Sequence, residues 1–310
     1  MKVTISHYEF LNQFPDETAA RTYLEARRWK GAPQCPHCNE IERVQVRTVV
    51  GYFRCLACKQ DFTVRTGTIF ERSHIPLDKW LYAMYLISTA RKGISSMQIS
   101  KELGITQKSA WFMLQRIREA CGNGANGVGG LLSGIVEADE TYLGGKEDNK
   151  HESKKLRAGR GTIGKAAVLG MRERGGDVKA VVIANTDART IQDTVIANVE
   201  DDSMLCTDTH PSYAGIDGYY HRTVNHSAKQ YVDGMAHTNG IESVWAVLKR
   251  GYYGIYHHFT VKHMQRYVDE FAFRLSSEGN CKVHTMARIG ALSDKTVGKR
   301  LTYKSLTGAL

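Results

Sequence analysis

Nowhere in the 310 residues do apolar side chains run unbroken for the roughly 18 positions that a membrane-crossing helix needs. The opening Met1-Lys2-Val3-Thr4 lacks the apolar core of a secretory signal, so a cytoplasmic protein with no membrane partner is expected. No internal repeat is visible. Acidic residues are in deficit: 32 Asp and Glu stand against 42 Lys and Arg, a formal charge of +10. A surplus of that size favours a polyanionic partner. Cysteines are few and odd in number, seven in all, and four of them fall into two CxxC pairs. That usage disfavours a disulfide framework and favours a metal site in a reducing compartment. What is present suits a folded chain: 42% hydrophobic and 24% charged residues are enough for a sizeable core, in about two domains by length.

Four segments separate by texture. Residues 1–75 hold an N-terminal helix, with Ala20, Tyr23, Leu24 and Trp29 at helical spacing, and then the paired cysteines. Cys35-Pro36-His37-Cys38 and Cys55-Leu56-Ala57-Cys58 lie sixteen residues apart. Two such knuckles bring four thiolates together into a closed tetrahedral shell, so the metal is expected to be a structural zinc held by Cys35, Cys38, Cys55 and Cys58. Val44 to Arg47 and Tyr52 to Arg54 read as a hairpin turning near Gly51. His37 is expected at the surface.

Residues 76–121 read as helical. Leu77 to Lys92 carries Trp80, Leu81, Met84, Tyr85 and Ile87 at helical spacing, and Ser95 to Leu103 makes a short helix that stops at Gly104. Thr106 can cap a third helix, with Ala110, Met113, Leu114 and Ile117 inward and Lys108, Gln115, Arg116 and Arg118 on its polar positions. Two helices across a glycine turn fit a helix-turn-helix, with Lys108 and Arg116 facing DNA, or an ordinary packing hairpin. A glycine-dense linker, 122–134, follows. From 135 to 310 strand-like and helix-like runs alternate, as in a mixed α/β domain.

That last segment carries the chemistry. In Ile135 to Leu143, read as a strand, Glu137, Asp139 and Thr141 share one face while Glu140 points the other way. Met204-Leu205-Cys206 is a short apolar strand that delivers Asp208 at its carboxyl end, where open α/β sheets bind ligands. In His237 to Arg250, Ile241, Val244, Trp245 and Leu248 form an apolar helical stripe, with Asn239, Glu242 and Lys249 on an adjacent one. Glu242 and Lys249, seven apart, are offset by only about 20° and can face one external object. Carboxylates gathered in one place repel unless a cation compensates them, and Mg²⁺ takes oxygen ligands while leaving positions for phosphate. Taken singly, Asp139, Asp208 and Glu242 could serve solubility alone; their placement on two strands and a helix raises them.

The blocks VEADETYLGGK, LCTDTHPSYAGI and HTNGIESVWAVLKRGYYGIYHH resemble the three catalytic blocks of bacterial insertion-sequence transposases of the ISXO type, which join an amino-terminal zinc ribbon to an RNase H-like DDE domain. CPHC with YFRCLACKQDFTVRTGTIFE resembles that family's ribbon, and VGKRLTYKSL its carboxyl end, so the likeness spans nearly the full chain. The resemblance implies an α/β, RNase H-like catalytic domain preceded by a zinc ribbon and a helix-turn-helix. It implies DNA transposition, with Asp139, Asp208 and Glu242 as ligands of two Mg²⁺ ions (Mn²⁺ being a substitute) and Lys249 on DNA. Glu137, Glu140 and Asn239 lie within the matching blocks without inheriting a role.

The expected protein binds double-stranded DNA, both the terminal inverted repeats and the target, in the nucleoid, as a homodimer or larger synaptic assembly. Lys249, Arg250, Lys108, Arg116 and Arg160 are the expected DNA contacts. Arg160 lies in the basic segment 146–165, which reads as a phosphate-contacting loop or a solvated insertion. His221, His226, His237, His257 and His258 read as hydrogen-bonding groups and not as a second metal site, and Tyr252, Tyr253 and Tyr256 as packing. Two rivals stand beside this reading: a catalytically silent DNA-binding regulator, and an RNase H-like nuclease without strand transfer.

Overall fold

A computed structural model describes residues 3–122, 130–145, 151–154, 162, 164–224 and 237–308. The chain divides into two compact units, one built from Met1–Cys121 with Glu278–Leu310, the other from Gly122–Ser277. This differs from the reading of 135–310 as one domain: its last stretch belongs to the first unit. The reason lies in α9 (Thr285–Asp294), whose Ile289 and Leu292 are fully buried there. From within α9, Gly290 O accepts from Arg27 Nε (3.1 Å), and the Arg288 guanidinium donates to Ser88 O. Further on, Gly298 N–H donates to Gly67 O (2.9 Å).

The N-terminal segment of the first unit holds two helices where one was expected. Ser6 and Glu9 form a reciprocal capping box that starts α1 (His7–Gln13). Asp16 then accepts from Ala19 N–H (2.8 Å) and starts α2 (Glu17–Trp29) afresh. Strands β1 (Val44–Val46), β2 (Phe53–Cys55) and β3 (Asp61–Phe62) form an antiparallel sheet, with Trp29 set edge-on against Phe53 and Phe62. Helices α3 (Leu77–Thr89), α4 (Ser96–Leu103) and α5 (Gln107–Cys121) follow, α3 ending three residues earlier than its apolar periodicity suggests. Gly104, at φ +60°, closes α4, and the Thr106 hydroxyl accepts from Ser109 N–H to start α5. The short α10 (Tyr303–Thr307) ends the unit.

The second unit is a five-stranded mixed sheet. Its strands are β4 (Ile135–Leu143), β5 (Ala166–Glu173), β6 (Val178–Ile183), β7 (Met204–Asp208) and β8 (Tyr220–Val224), in the order β6-β5-β4-β7-β8. The first three are antiparallel, and β4, β7 and β8 run parallel. Residues alternate across β4. Leu143 faces a core made with α7 (Asn239–Gly251) and α8 (Val261–Leu275), where Ile241, Trp245, Leu248 and Phe271 are buried. Val136 and Ala138 face the opposite core, with Ile191 and Val195 of α6 (Ala188–Ile196) and Tyr213. Among the described residues no helix is long and apolar enough to cross a membrane.

Candidate active site

In the first unit the four cysteine sulfurs lie within 4.8 Å of one another, with Cys35 and Cys58 3.6 Å apart and Cys38 and Cys55 3.5 Å apart. These separations far exceed a disulfide bond of about 2 Å. They approach the ~3.8 Å between corners of a tetrahedron with ~2.3 Å zinc–sulfur bonds. The two knuckles are built alike: Cys35 N–H donates to Glu40 O and Cys55 N–H to Gln60 O, both at 2.9 Å. Asn39 and Lys59, one residue past each pair, take left-handed backbone angles. Cys58 N–H donates to Cys55 Sγ and holds that thiol down at about 7, toward the thiolate a metal needs. His37 is exposed and outside the set, as expected.

The acids of the second unit are assembled by the sheet. Glu137 pairs with Cys206 across the parallel β4–β7 ladder. Carrying that register two residues on would set Asp139, midway along β4, level with Asp208, the last residue of β7. Burial, then the charges of Glu140 and Asp208, push the Asp139 carboxyl up to about 7. Asp208 Oδ1 accepts from His210 N–H (2.9 Å), and the Thr207 hydroxyl donates to the Asp208 carbonyl (2.7 Å). Glu140, on the opposite face as its parity requires, lies beside Tyr213; burial raises its carboxyl too, and a neighbouring His210 lowers it.

Helix α7 brings the third acid. Its buried stripe of Ile241, Val244, Trp245 and Leu248 is the one the periodicity marks, and Glu242 and Lys249 are exposed along the neighbouring stripe, with Arg250 beside them. Glu242 accepts from the Thr238 hydroxyl (3.1 Å) within the first turn. Among the described residues the cysteines are the one group of three or more metal-ligating side chains that converge within 4.8 Å; Asp139, Asp208 and Glu242 stand further apart. Glu242 is exposed at the start of α7.

Two links tie α7 to β4, and neither follows from the sequence pattern. The Trp245 indole N–H donates to Asp139 Oδ2 (2.9 Å). The helical stripe counts Trp245 only as apolar; the missed signal is that a buried indole N–H needs an acceptor. Gly170, paired with Asp139 across the β4–β5 ladder, supplies the floor, since a Cβ there would overlap the Trp245 ring. The second link is Glu137, which is 1% exposed: its Oε2 accepts from Ile241 N–H (3.0 Å), and its Oε1 accepts from Arg174 Nε (3.3 Å) and Nη2 (3.2 Å). His237 Nδ1 stands 3.1 Å from the same Oε1.

The expected DNA contacts divide. Lys249 and Arg250 are exposed on the last turn of α7, and Lys108 is exposed on α5 with its Nζ over the Tyr303 ring. Arg116 is a correction. It is 4% exposed, donates to Glu71 O (2.6 Å) and lies against Trp80 and Phe112, so desolvation pulls its guanidinium down to about 10. Gln115 and Arg118 are buried as well, because α5 is covered on more of its circumference than its apolar stripe implies. Arg160 and His226, with residues 123–129 of the glycine linker and most of the segment 146–165, lie outside the described residues. Of the remaining histidines, His221 shares a 2.9 Å hydrogen bond with the Thr207 hydroxyl. Tyr252 is buried, Tyr256 donates to Glu270 (3.0 Å), and Tyr253 is exposed.

The chain thus carries a four-cysteine ribbon ahead of a mixed sheet with Asp139 and Asp208 on neighbouring strands, and both parts match known families. Residues 131–276 match the ISXO2-like transposase domain and residues 15–61 the transposase zinc-ribbon domain. The sheet-bearing part of the chain thus matches an insertion-sequence transposase domain and its cysteine-bearing part a transposase zinc ribbon. The chain is 28% identical over 254 residues to an uncharacterized protein in transposable element ISH50 of Halobacterium salinarum, a match covering 77% of this chain and 84% of that protein. A Mos1 strand transfer complex and a pre-cleavage Mos1 transpososome are each 12% identical to it. They match 69% and 72% of this chain and 75% and 79% of theirs, with TM-scores of 0.29 and 0.26, too slight to carry a fold assignment.

Proposed function

We propose that the protein is a DDE transposase that binds the terminal inverted repeats of its own element, cuts a strand at each end and joins the freed ends to target DNA. The observation that carries the reading is that Asp139 and Asp208, on the neighbouring parallel strands β4 and β7, lie close enough for the charge of Asp208 to raise the Asp139 carboxyl, with α7 fastened to Asp139 through Trp245. The strand order, three antiparallel strands continued by two parallel ones, supports an RNase H-like domain.

The donor set fits magnesium. Asp139, Asp208 and Glu242 offer carboxylate oxygens alone, the ligands that Mg²⁺ and Mn²⁺ take. A carboxyl driven up to about 7 by burial and neighbouring negative charge is one that a cation would restore to its ionised form. Those three residues would hold two ions. Bound there, paired ions supply activation of an attacking oxygen and stabilisation of a leaving one in an in-line displacement. In the first step water oxygen bonds to phosphorus as the bond to the 3′ oxygen breaks, leaving a 3′ hydroxyl and a 5′ phosphate. In the second that hydroxyl attacks a target phosphodiester, exchanging one ester for another. Lys249 and Arg250 would grip the backbone two turns along α7 from Glu242, and Lys108 on α5 would contact phosphate, with α4 and α5 acting as a helix-turn-helix. Zinc in the ribbon would be structural.

Labelled element ends incubated with the protein and Mg²⁺ test the reading. Cleaved ends and joined DNA are expected from the wild type, and Asp139→Asn or Asp208→Asn should lower both by about 10²–10³-fold, as when one electrostatic partner of a transition state is removed. Cutting that survives either substitution overturns the site; hydrolysis without joined product favours the nuclease; neither product favours the regulator.

A further inference from the structure

Glu137 is a fourth carboxylate beside the acidic site, two residues before Asp139 on the same face of β4, and it is almost wholly buried. A buried charge is costly unless it is paired and hydrogen-bonded, and this one is both. Arg174, from just beyond β5, balances its charge. Its other oxygen takes the N–H of Ile241, in the first turn of α7, where amides lack intrahelical acceptors and the helix dipole is positive. Ile241 is the residue before Glu242. One carboxylate therefore joins the strand that carries Asp139 to the turn that carries Glu242. Two neighbours fit the same purpose. A Cβ on Gly240 would stand 2.5 Å from Glu137 Oε2, so only glycine leaves the carboxylate room to reach the turn. Arg172 of β5 donates to Gly240 O (2.6 Å) and to the Ser243 hydroxyl (3.0 Å), holding that turn from a second strand.

We propose that Glu137 is a positioning residue of the acidic site, a buried strap between β4 and the first turn of α7 that sets where Glu242 stands relative to Asp139. The proposal rests on the reading of Asp139, Asp208 and Glu242 as the metal-binding acids, and its test separates the two. Full-length protein carrying Glu137→Ala, Glu137→Gln, Gly240→Ala or Asp139→Asn is compared with the wild type by amide hydrogen exchange without divalent cation, and by Mn²⁺ titration. Zinc content and exchange across β5 and β6 report folding. Glu137→Ala should speed exchange across 239–245 and weaken Mn²⁺ binding about tenfold, the scale for losing a group that orients a metal ligand. Gly240→Ala should do the same without removing a charge. Glu137→Gln keeps an acceptor for Ile241 N–H and should fall between Glu137→Ala and the wild type. Where Asp139→Asn does weaken Mn²⁺ binding, loosened exchange with unchanged Mn²⁺ affinity in Glu137→Ala would reduce Glu137 to a helix cap and overturn the proposal, and unchanged exchange would overturn it in every case. If Asp139→Asn binds Mn²⁺ as the wild type does, the metal-site reading fails, while loosened exchange in Glu137→Ala still upholds the strap.

Discussion

Asp139 sits where burial and two neighbouring carboxylates raise its proton affinity, from an ordinary 3.8 to about 7. Between those values the folded protein keeps a proton that the unfolded chain has released. Without divalent cations, the Asp139 contribution to stability is therefore present at low pH, falls as pH rises from about 4 to about 7, and levels off above. Urea midpoints measured in chelator across that range should show the decline, and Asp139→Asn should remove its part of it. Cation binding competes with the same proton, so each pH unit below 7 should weaken Mn²⁺ affinity about tenfold. Much at this scale was legible in the sequence. The parity of β4 separates Glu137 and Asp139 from Glu140, and a seven-residue spacing aligns Glu242 with Lys249. The partners of Glu137 were not, because Arg174 and Ile241 reach it only through tertiary packing, at separations no local pattern records.

Elements meet here through what is missing from side chains as much as through what is present. The Trp245 ring lies on Gly170, so Gly170→Ala should overpack the junction of β5 with α7, costing about 1–3 kcal/mol in a thermal or urea melt. Joining activity should fall further than stability, because the indole bond to Asp139 is displaced with the ring. Helix α5 offers a second contrast. Arg116→Ala removes a buried guanidinium that donates to Glu71 O and should destabilise the protein by about 2 kcal/mol, the scale of a hydrogen bond to a charged group. Lys108→Ala, on an exposed position, should leave the melt unchanged and weaken binding to element ends, an effect that shrinks as salt rises. Periodicity reads both residues as polar-face. It fails for Arg116 because a long side chain can be roofed by Trp80 and Phe112 while its head finds a carbonyl, which composition alone does not distinguish from solvation.

Across the whole molecule, the second unit is an insertion within the first. Residues 278–310 return to pack α9 against the helices that follow the ribbon, with Ile289 and Leu292 in that core. A chain ending at Ser277 should therefore lose the first unit and keep the second: thermal melts should show the early unit destabilised or absent, with the sheet unit still melting cooperatively. The sequence marked the ribbon, the helices and the three acidic blocks in order. It did not mark the return, since a tail of ordinary helical texture carries no label for the core it completes.

That arrangement has a consequence during synthesis. The sheet unit is contiguous and can fold as soon as its last helix leaves the ribosome. The ribbon-bearing unit, although begun earlier, must wait for residues 278–310, which emerge after the whole sheet unit. A prematurely terminated polypeptide would thus carry a finished sheet unit while its ribbon-bearing unit still lacked the helix that completes its core.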